Sequence, residues 1–283
     1  MSTTGGDGGG TPGGAGGVSR PWFVALDIDG TILHEDESVD PAVVDAVASA
    51  RDRGHLVTLA TGRSWGATAS VLERLGLDPE YVVCANGAVT MRRDDTAAGG
   101  YAPAHVETFD PTAVLERIRG FLPAGRFMVE LPDGFRLYTA GMSDWNLDNA
   151  REVVFDDLLD QRATRVVVTS VDHELDEFFE IVDRMGLHHV SYAIGWTAWL
   201  DIAPDGVNKA TALERVRGWL DQPLERVIAV GDGRNDIEMF AWAGSAGRAV
   251  AMGQAPAEVK DAATEVTGSI AEAGLAAVLD SLP

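Results

Sequence analysis

The chain has 283 residues, 46% of them hydrophobic, enough to bury a core in one large or two modest domains. Its formal net charge of -22 argues against nucleic-acid backbones and anionic membrane surfaces as partners, and means that an anionic substrate needs a local cationic site. A single cysteine, Cys84, excludes an intrachain disulfide, no apolar run reaches the length of a membrane span, and no signal-peptide layout opens the chain, so a cytoplasmic enzyme is the expectation.

Residues 1–19 are Gly-rich with almost no apolar side chains and read as a flexible tail. Residues 22–26, Trp-Phe-Val-Ala-Leu, form a short apolar run typical of a strand buried on both faces. Asp27-Ile28-Asp29-Gly30-Thr31 follows, so two carboxylates arrive where that strand should end. Asp40 and Pro41 start a helix as N-cap and first helical residue, with Val43, Val44, Val47 and Ala50 on one face and Gly54 at its end. A second strand over 55–60 runs into Thr61-Gly62-Arg63, and a helix carrying Val71, Leu72 and Leu75 comes next. A third strand over 81–84, with Cys84 as a small buried hydrophobe, ends at Ala85-Asn86-Gly87. This β-α-β-α-β order predicts a parallel sheet with crossover helices.

The rhythm breaks near Val89. Residues 91–104 read as an excursion or hairpin, and an inserted unit begins at about residue 108. It comprises a helix over 111–121 and strands over 127–131 and 135–138 about the turn Pro132-Asp133-Gly134. A strand over 165–169, a helix over 172–185 with Leu175, Phe178, Phe179 and Val182 inward, and strands over 190–194 and 196–202 complete it. The parallel pattern then resumes with a helix over 208–220 and a strand over 226–230 that ends at Gly231-Asp232-Gly233-Arg234-Asn235-Asp236. A helix with Ile237, Met239 and Phe240, a strand over 248–252, and helices over 255–263 and 269–282 close the chain. The expected domains are the tail 1–19, a core built from 20–107 and 203–283, and an α+β insertion over 108–202.

Taken alone, Asp27 to Thr31 is as consistent with a polar turn as with a site. An EF-hand fails, because Ile32 stands where its Gly belongs and Ser38 where its Glu belongs. The other strand ends decide. Asp27 and Asp29 end one strand, Thr61-Gly62 ends a second and opens a helix, and Asp232, Asn235 and Asp236 end a later one. Lys209, at a helix start, adds a cationic point charge. In a parallel sheet these ends share one edge, and the set suits metal-assisted phosphoryl transfer.

Asp27 to Thr31, Thr61-Gly62-Arg63, Lys209 and residues 231–236 resemble the four motifs of the haloacid dehalogenase-like phosphatases, in order and separation. Ala85-Asn86-Gly87-Ala88, Gly206-Val207-Asn208-Lys209 and Ala251-Met252-Gly253 resemble the Cof-type group, subfamily IIB. Asn208 and Ala210 depart from the Ser and Gly of many relatives but leave the lysine in place. The resemblance implies an α/β fold, a Rossmann-like parallel-sheet core with an inserted α+β cap. It implies Asp27 as nucleophile forming an aspartyl-phosphate, and Asp29 as general acid and base, its side chain desolvated when the site closes. Mg²⁺ is implied on the Asp27 carboxylate, the Asp29 backbone carbonyl and Asp232, with Asp236 nearby. Thr61, Gly62, Lys209 and Asn235 are implied holders of the phosphoryl oxygens.

The expected function is Mg²⁺-dependent hydrolysis of small phosphomonoesters, with sugar phosphates favoured. A phosphosugar mutase and a catalytically silent metabolite-binding module are the alternatives. A small phosphorylated metabolite is the expected partner, with no nucleic acid and no membrane. Oligomeric state is not legible. Arg63 reads equally as a substrate contact or as a salt bridge at a helix start. His188-His189 reads as cap surface, and Trp196 and Trp199 as cap packing.

Overall fold

The computed structural model describes residues 20–139, 149–170, 172–194 and 198–283. The Gly-rich tail and Trp196 lie outside the described residues. In chain order the first half of the core holds β1 (Phe23–Leu26), α1 (Pro41–Asp52), β2 (Leu56–Leu59), α2 (Trp65–Leu75), β3 (Tyr81–Cys84), β4 (Val89–Arg93) and β5 (Tyr101–Val106). The insertion supplies α3 (Thr112–Phe121), β6 (Arg126–Glu130), β7 (Arg136–Tyr138), β8 (Ala150–Glu152), β9 (Arg165–Thr169), α4 (Leu175–Met185), β10 (Val190–Ile194) and β11 (Trp199–Pro204). The chain then gives α5 (Lys209–Trp219), β12 (Val227–Gly231), α6 (Ile237–Gly244), β13 (Arg248–Ala251), α7 (Ala257–Ala262), β14 (Glu265–Val266) and α8 (Gly274–Asp280).

The core sheet is parallel, in the order β14-β13-β12-β1-β2. Successive side chains of a strand point to opposite faces. Accordingly Phe23 and Ala25 of β1 join one apolar cluster, with Phe240 and Leu213, while Val24 and Leu26 join another, with Val47 and Leu279. Both faces are covered, which is why the strand is apolar throughout. β1 lies between β12 and β2, with Leu26 opposite both Val230 and Leu59. The three strand ends that carry the polar motifs are therefore immediate neighbours.

The third strand departs from expectation. β3 is not laddered into the parallel sheet. It touches it through one parallel bridge, Ala60–Val83, and leads an antiparallel unit β3-β4-β5 instead. The only crossover between β3 and β4 is the tight turn Ala85–Gly87, with Asn86 in the left-handed region at φ 49°, so the chain doubles back. The expected closing helix over 269–282 is also divided. A short 3-10 turn, Ile270–Glu272, precedes Ala273 at φ 52°, and α8 starts only after it.

The cap sheet has the order β10-β11-β9-β6-β7-β8, antiparallel except where β7 meets β8. Alternation sorts its two faces. Phe127, Val129, Val166, Val168, Leu200 and Ile202 pack under α3 and α4. The opposite face carries Met128, Val167 and Trp199 as a small apolar patch, together with Glu130, Arg165 and Asp201, all three buried. Trp199 thus packs within the cap. On α4, Phe178, Ile181, Val182 and Met185 face inward, whereas Phe179, expected there too, is only half-buried and lies under the Arg234 guanidinium of the core at 4.8 Å. Helix geometry explains the shift, because 178, 181, 182 and 185 follow the i, i+3, i+4 stripe and 179 sits beside it. α4 starts at Leu175 rather than at Asp172.

Candidate active site

Asp27 leaves β1 with its backbone N–H donated to Val230 O at 2.9 Å, which fixes it beside the end of β12. Gly30 follows at φ 74°, and a Cβ there would lie 2.0 Å from Asp232 Oδ2, so the turn admits the Asp232 carboxylate only because residue 30 has no side chain. Gly231 plays the same part for Asp236, whose Oδ2 would sit 2.3 Å from an added Cβ. Asp236 Oδ2 instead accepts the backbone N–H groups of Asp232 and Gly233 at 3.0 and 2.9 Å. Asn208 caps α5 by accepting Thr211 N–H at 2.9 Å, and this places Lys209 as the first helical residue, aimed at the strand ends.

Lys209 is wholly buried and donates to Asp27 Oδ1 at 2.6 Å and to Asp236 Oδ1 at 2.7 Å. Burial works against its charge, but Asp236 and Asp27 together hold the ammonium above its ordinary pKa. Burial pushes the Asp27 carboxyl well up, Lys209 pulls it back, and Asp236 and Asp232 push it up again. The Asp232 carboxyl is pushed up to about 7 by burial and by Asp236, against a hydrogen bond from Gln254.

One carboxylate oxygen from each of Asp27, Asp232 and Asp236 lies within 4.8 Å of the others. Fully ionised, the three buried carboxylates exceed the one ammonium by two negative charges, and such charges need a partner. A divalent cation supplies that charge, and an all-oxygen donor set suits a hard one.

The Asp29 carboxylate stands apart. Its side chain is 57% exposed and is clasped by Arg63, with Nη2 at 2.5 Å from Oδ1 and Nε at 3.0 Å from Oδ2. Arg63 also reaches Glu37 at 3.2 Å. Of the two readings of Arg63, the structure has the salt bridge. The expected desolvation of Asp29 is not met in this conformation, because the guanidinium holds its carboxylate at the mouth of the site.

Thr61 is fully buried, and its Oγ1 accepts Arg63 N–H at 3.0 Å. Gly62 lies against Asn86, whose side-chain amide atoms would be 3.2 Å from a Cβ at residue 62. Asn235 donates to Asn86 Oδ1 at 3.0 Å. A cleft of about 450 Å³ opens beside this group between core and cap, with Asn86, Lys209, Arg234 and Asn235 on the core side and Phe179, Tyr192 and Asp201 on the cap side. His188 and His189 are exposed.

Four further polar residues at the site carried no individual signal. Gln254 braces the first loop by donating to Gly30 O at 2.6 Å and Asp232 Oδ2 at 3.3 Å, while its Oε1 accepts Ile270 N–H at 3.0 Å. Asn86, inside a stretch noted only as a resemblance, donates to Asp201 Oδ2 at 2.9 Å. Asp201 pairs with Arg165 at 3.3 Å, and Arg165 Nη1 donates to the Gly62 carbonyl. The available signal was a charged residue inside each apolar strand, Arg165 before Val-Val-Val and Asp201 between Leu200 and Ile202.

A sequence model of the haloacid dehalogenase-like hydrolases matches residues 24–279. A 5-amino-6-(5-phospho-D-ribitylamino)uracil phosphatase of Bacillus subtilis is 28% identical over 92% of this chain and 97% of its own. A phosphoglycolate phosphatase of Natronomonas pharaonis is 31% identical over 91% and 96%, and a pyridoxal phosphate phosphatase of Escherichia coli is 28% identical over 87% and 92%. Among solved structures, a subclass IIB sugar phosphatase superposes with a TM-score of 0.74 at 20% identity, over 92% of this chain and 98% of that one. A haloacid dehalogenase-like hydrolase from B. subtilis gives 0.73 at 22% identity, over 92% and 99%. With its parallel core, inserted cap and clustered motif residues, the chain belongs to the haloacid dehalogenase-like hydrolases.

Proposed function

We propose that this protein is a Mg²⁺-dependent phosphatase of small phosphomonoesters, sugar phosphates foremost, that works through an aspartyl-phosphate on Asp27. The observation that carries the reading is the cluster of Asp27, Asp232 and Asp236 oxygens within 4.8 Å, with the buried Lys209 bonded to Asp27 and Asp236. Residues 108–202 are the cap in this reading, swinging over a core of 20–107 and 203–283.

Lys209 engages Asp27 Oδ1, and we assign nucleophilic attack to Oδ2. The bond from Oδ2 to phosphorus forms as the bond from phosphorus to the leaving oxygen breaks, and Asp29 gives that oxygen its proton. Water then attacks phosphorus, Asp29 takes the water's proton, and inorganic phosphate leaves Asp27 as it began. Thr61, Gly62, Lys209 and Asn235 hold the phosphoryl oxygens. Mg²⁺, held by Asp27, Asp232, Asp236 and the Asp29 backbone carbonyl, would supply positive charge that offsets repulsion between nucleophile and phosphate.

Polar groups at the cleft, among them Ser191 and Glu238, suit a hydroxylated leaving group. A second reading, the phosphate ester of a planar heterocycle, draws on Phe179 and Tyr192 in the cap wall and on the uracil and pyridoxal substrates named for two relatives. A panel of phosphomonoesters, assayed for inorganic phosphate with Mg²⁺ and with a chelator, tests the reading. Mg²⁺-dependent release without a bisphosphate activator supports it. No release from any ester overturns it, and a strict bisphosphate requirement points to a mutase. The ratio of kcat/KM for sugar and heterocyclic esters separates the two substrate classes.

A further inference from the structure

The open face of the cap sheet carries three buried charged side chains, Glu130 on β6, Arg165 on β9 and Asp201 on β11. Charges are buried only at a cost. Glu130 and Arg165 are directly opposite across β6 and β9, and Arg165 also meets Asp201 at 3.3 Å. From there two contacts leave the cap. Arg165 Nη1 donates to the carbonyl of Gly62, and Asp201 Oδ2 accepts from Asn86 Nδ2 at 2.9 Å.

The second contact sets a direction. With Oδ1 facing the Arg165 guanidinium and Oδ2 accepting from Asn86, Asp201 draws the NH₂ end of the Asn86 amide to itself. The oxygen end of Asn86 must then face the other way, and it accepts from Asn235 Nδ2 at 3.0 Å. That in turn fixes the Asn235 amide with its nitrogen toward Asn86, which lines the cleft with it, and its oxygen toward Gly233, where an added Cβ would lie 2.5 Å from Oδ1. An asparagine pair alone has no such polarity, because either amide satisfies its partner in either orientation. The carboxylate removes the ambiguity.

We propose that Asp201, supplied by the cap, is a positioning residue that acts through Asn86 to present the N–H side of Asn235 to the phosphoryl group. Arg165 keeps Asp201 in place and ties the same cap strand to the Gly62 loop. The proposal rests on the reading of Asn235 as a phosphate ligand. It makes phosphate binding in the core depend on a residue of the inserted unit, so a cap that swings away disarms the phosphate pocket as well as uncovering it.

The test compares Asp201→Asn, Asn86→Gly and Asn235→Ala, alone and as the pairs Asp201→Asn/Asn235→Ala and Asn86→Gly/Asn235→Ala. Glycine suits residue 86, whose φ is 49°. Readouts are kcat/KM on an alkyl and an aryl phosphate, inhibition by inorganic phosphate, and melting temperature. Expected is a loss of about tenfold or more in kcat/KM for each single variant, equal for the two esters, with phosphate inhibition weakened by a similar factor. Each pair should be no slower than its slower single variant, within about twofold.

Additive losses in the pairs overturn the proposal. So does a loss in Asp201→Asn that depends on the leaving group and spares phosphate inhibition, which would make Asp201 a leaving-group contact. If Asp201→Asn does not fold, Asn86→Gly with its pair carries the test, since it leaves the Arg165–Asp201 couple intact. An Asn235→Ala variant with unchanged phosphate inhibition removes Asn235 from the phosphate site, and the proposal falls with it while Asp27-dependent turnover can stand.

Discussion

At the residue scale, the site is organised by one lysine. Lys209 has no exposed surface and lies between two carboxylates, so it serves the fold as well as the chemistry. Sequence reasoning alone expects Lys209→Ala to damage turnover more than folding. The burial adds a stability cost. Lys209→Met should destabilise the metal-free protein by about 3–5 kcal/mol, because it leaves buried carboxylates unpaired. Denaturant unfolding with and without Mg²⁺ checks this, and Mg²⁺ should restore part of the loss. Turnover should fall further than stability explains, by on the order of 2–4 kcal/mol in transition-state stabilisation.

Asp29 is predicted to behave differently from Asp27. Asp29→Asn should slow phosphorylation most with alkyl phosphates, by on the order of 10²–10⁴, and much less with an aryl phosphate whose leaving oxygen needs no proton. Single-turnover rates with both esters decide, and equal slowing removes Asp29 as the acid. In the present conformation Arg63 holds both Asp29 oxygens, so proton transfer requires that clasp to loosen. Cys84 offers a contrast. Burial pushes its thiol up to about 12, and it lies on β3 within the core. It should ignore an aromatic disulfide reagent in the folded protein and react only on unfolding. The residues of the four motifs were legible because each combines chemistry with the end of a strand or, for Lys209, the start of a helix. Gln254, Arg165 and Asp201 were not, because their meaning lies in partners distant in sequence.

At the element scale, periodicity located nearly every strand and helix but not every pairing. β3 has the composition of a central strand, yet the turn at Ala85–Gly87 sends the chain back on itself, and an antiparallel unit results. Apolar runs report burial, not the neighbour that supplies it. β8 and β14, three and two residues long, carry too few side chains to show a period. On the cap sheet, burial pushes the Glu130 carboxyl above its ordinary value, while Arg165 and Arg136 pull it down and Asp201 pushes it up. A folded value raised above the unfolded one gives stability that is complete below the unfolded pKa and is lost as pH rises through the folded pKa. Glu130→Gln removes that loss. The melting temperature of the variant minus that of the native chain should therefore increase as pH is raised from about 4 to 7. A difference that stays flat or falls would show that Arg165 and Arg136 compensate the charge fully.

At the scale of the whole molecule, two halves of a parallel core, separated in sequence, close around one acidic pocket, and an inserted sheet reaches it with Asp201 and Arg165. Among the described residues no helix is long and apolar enough to cross a membrane. The central claim is that Asp27 carries the phosphoryl group. Its most direct test is acid quenching of the protein during turnover of a labelled phosphomonoester with Mg²⁺, followed by mapping of the labelled peptide. The label should be base-labile, lie on the peptide that holds Asp27, and vanish for every substrate in Asp27→Asn. Label on another residue, or turnover that survives Asp27→Asn, would contradict it.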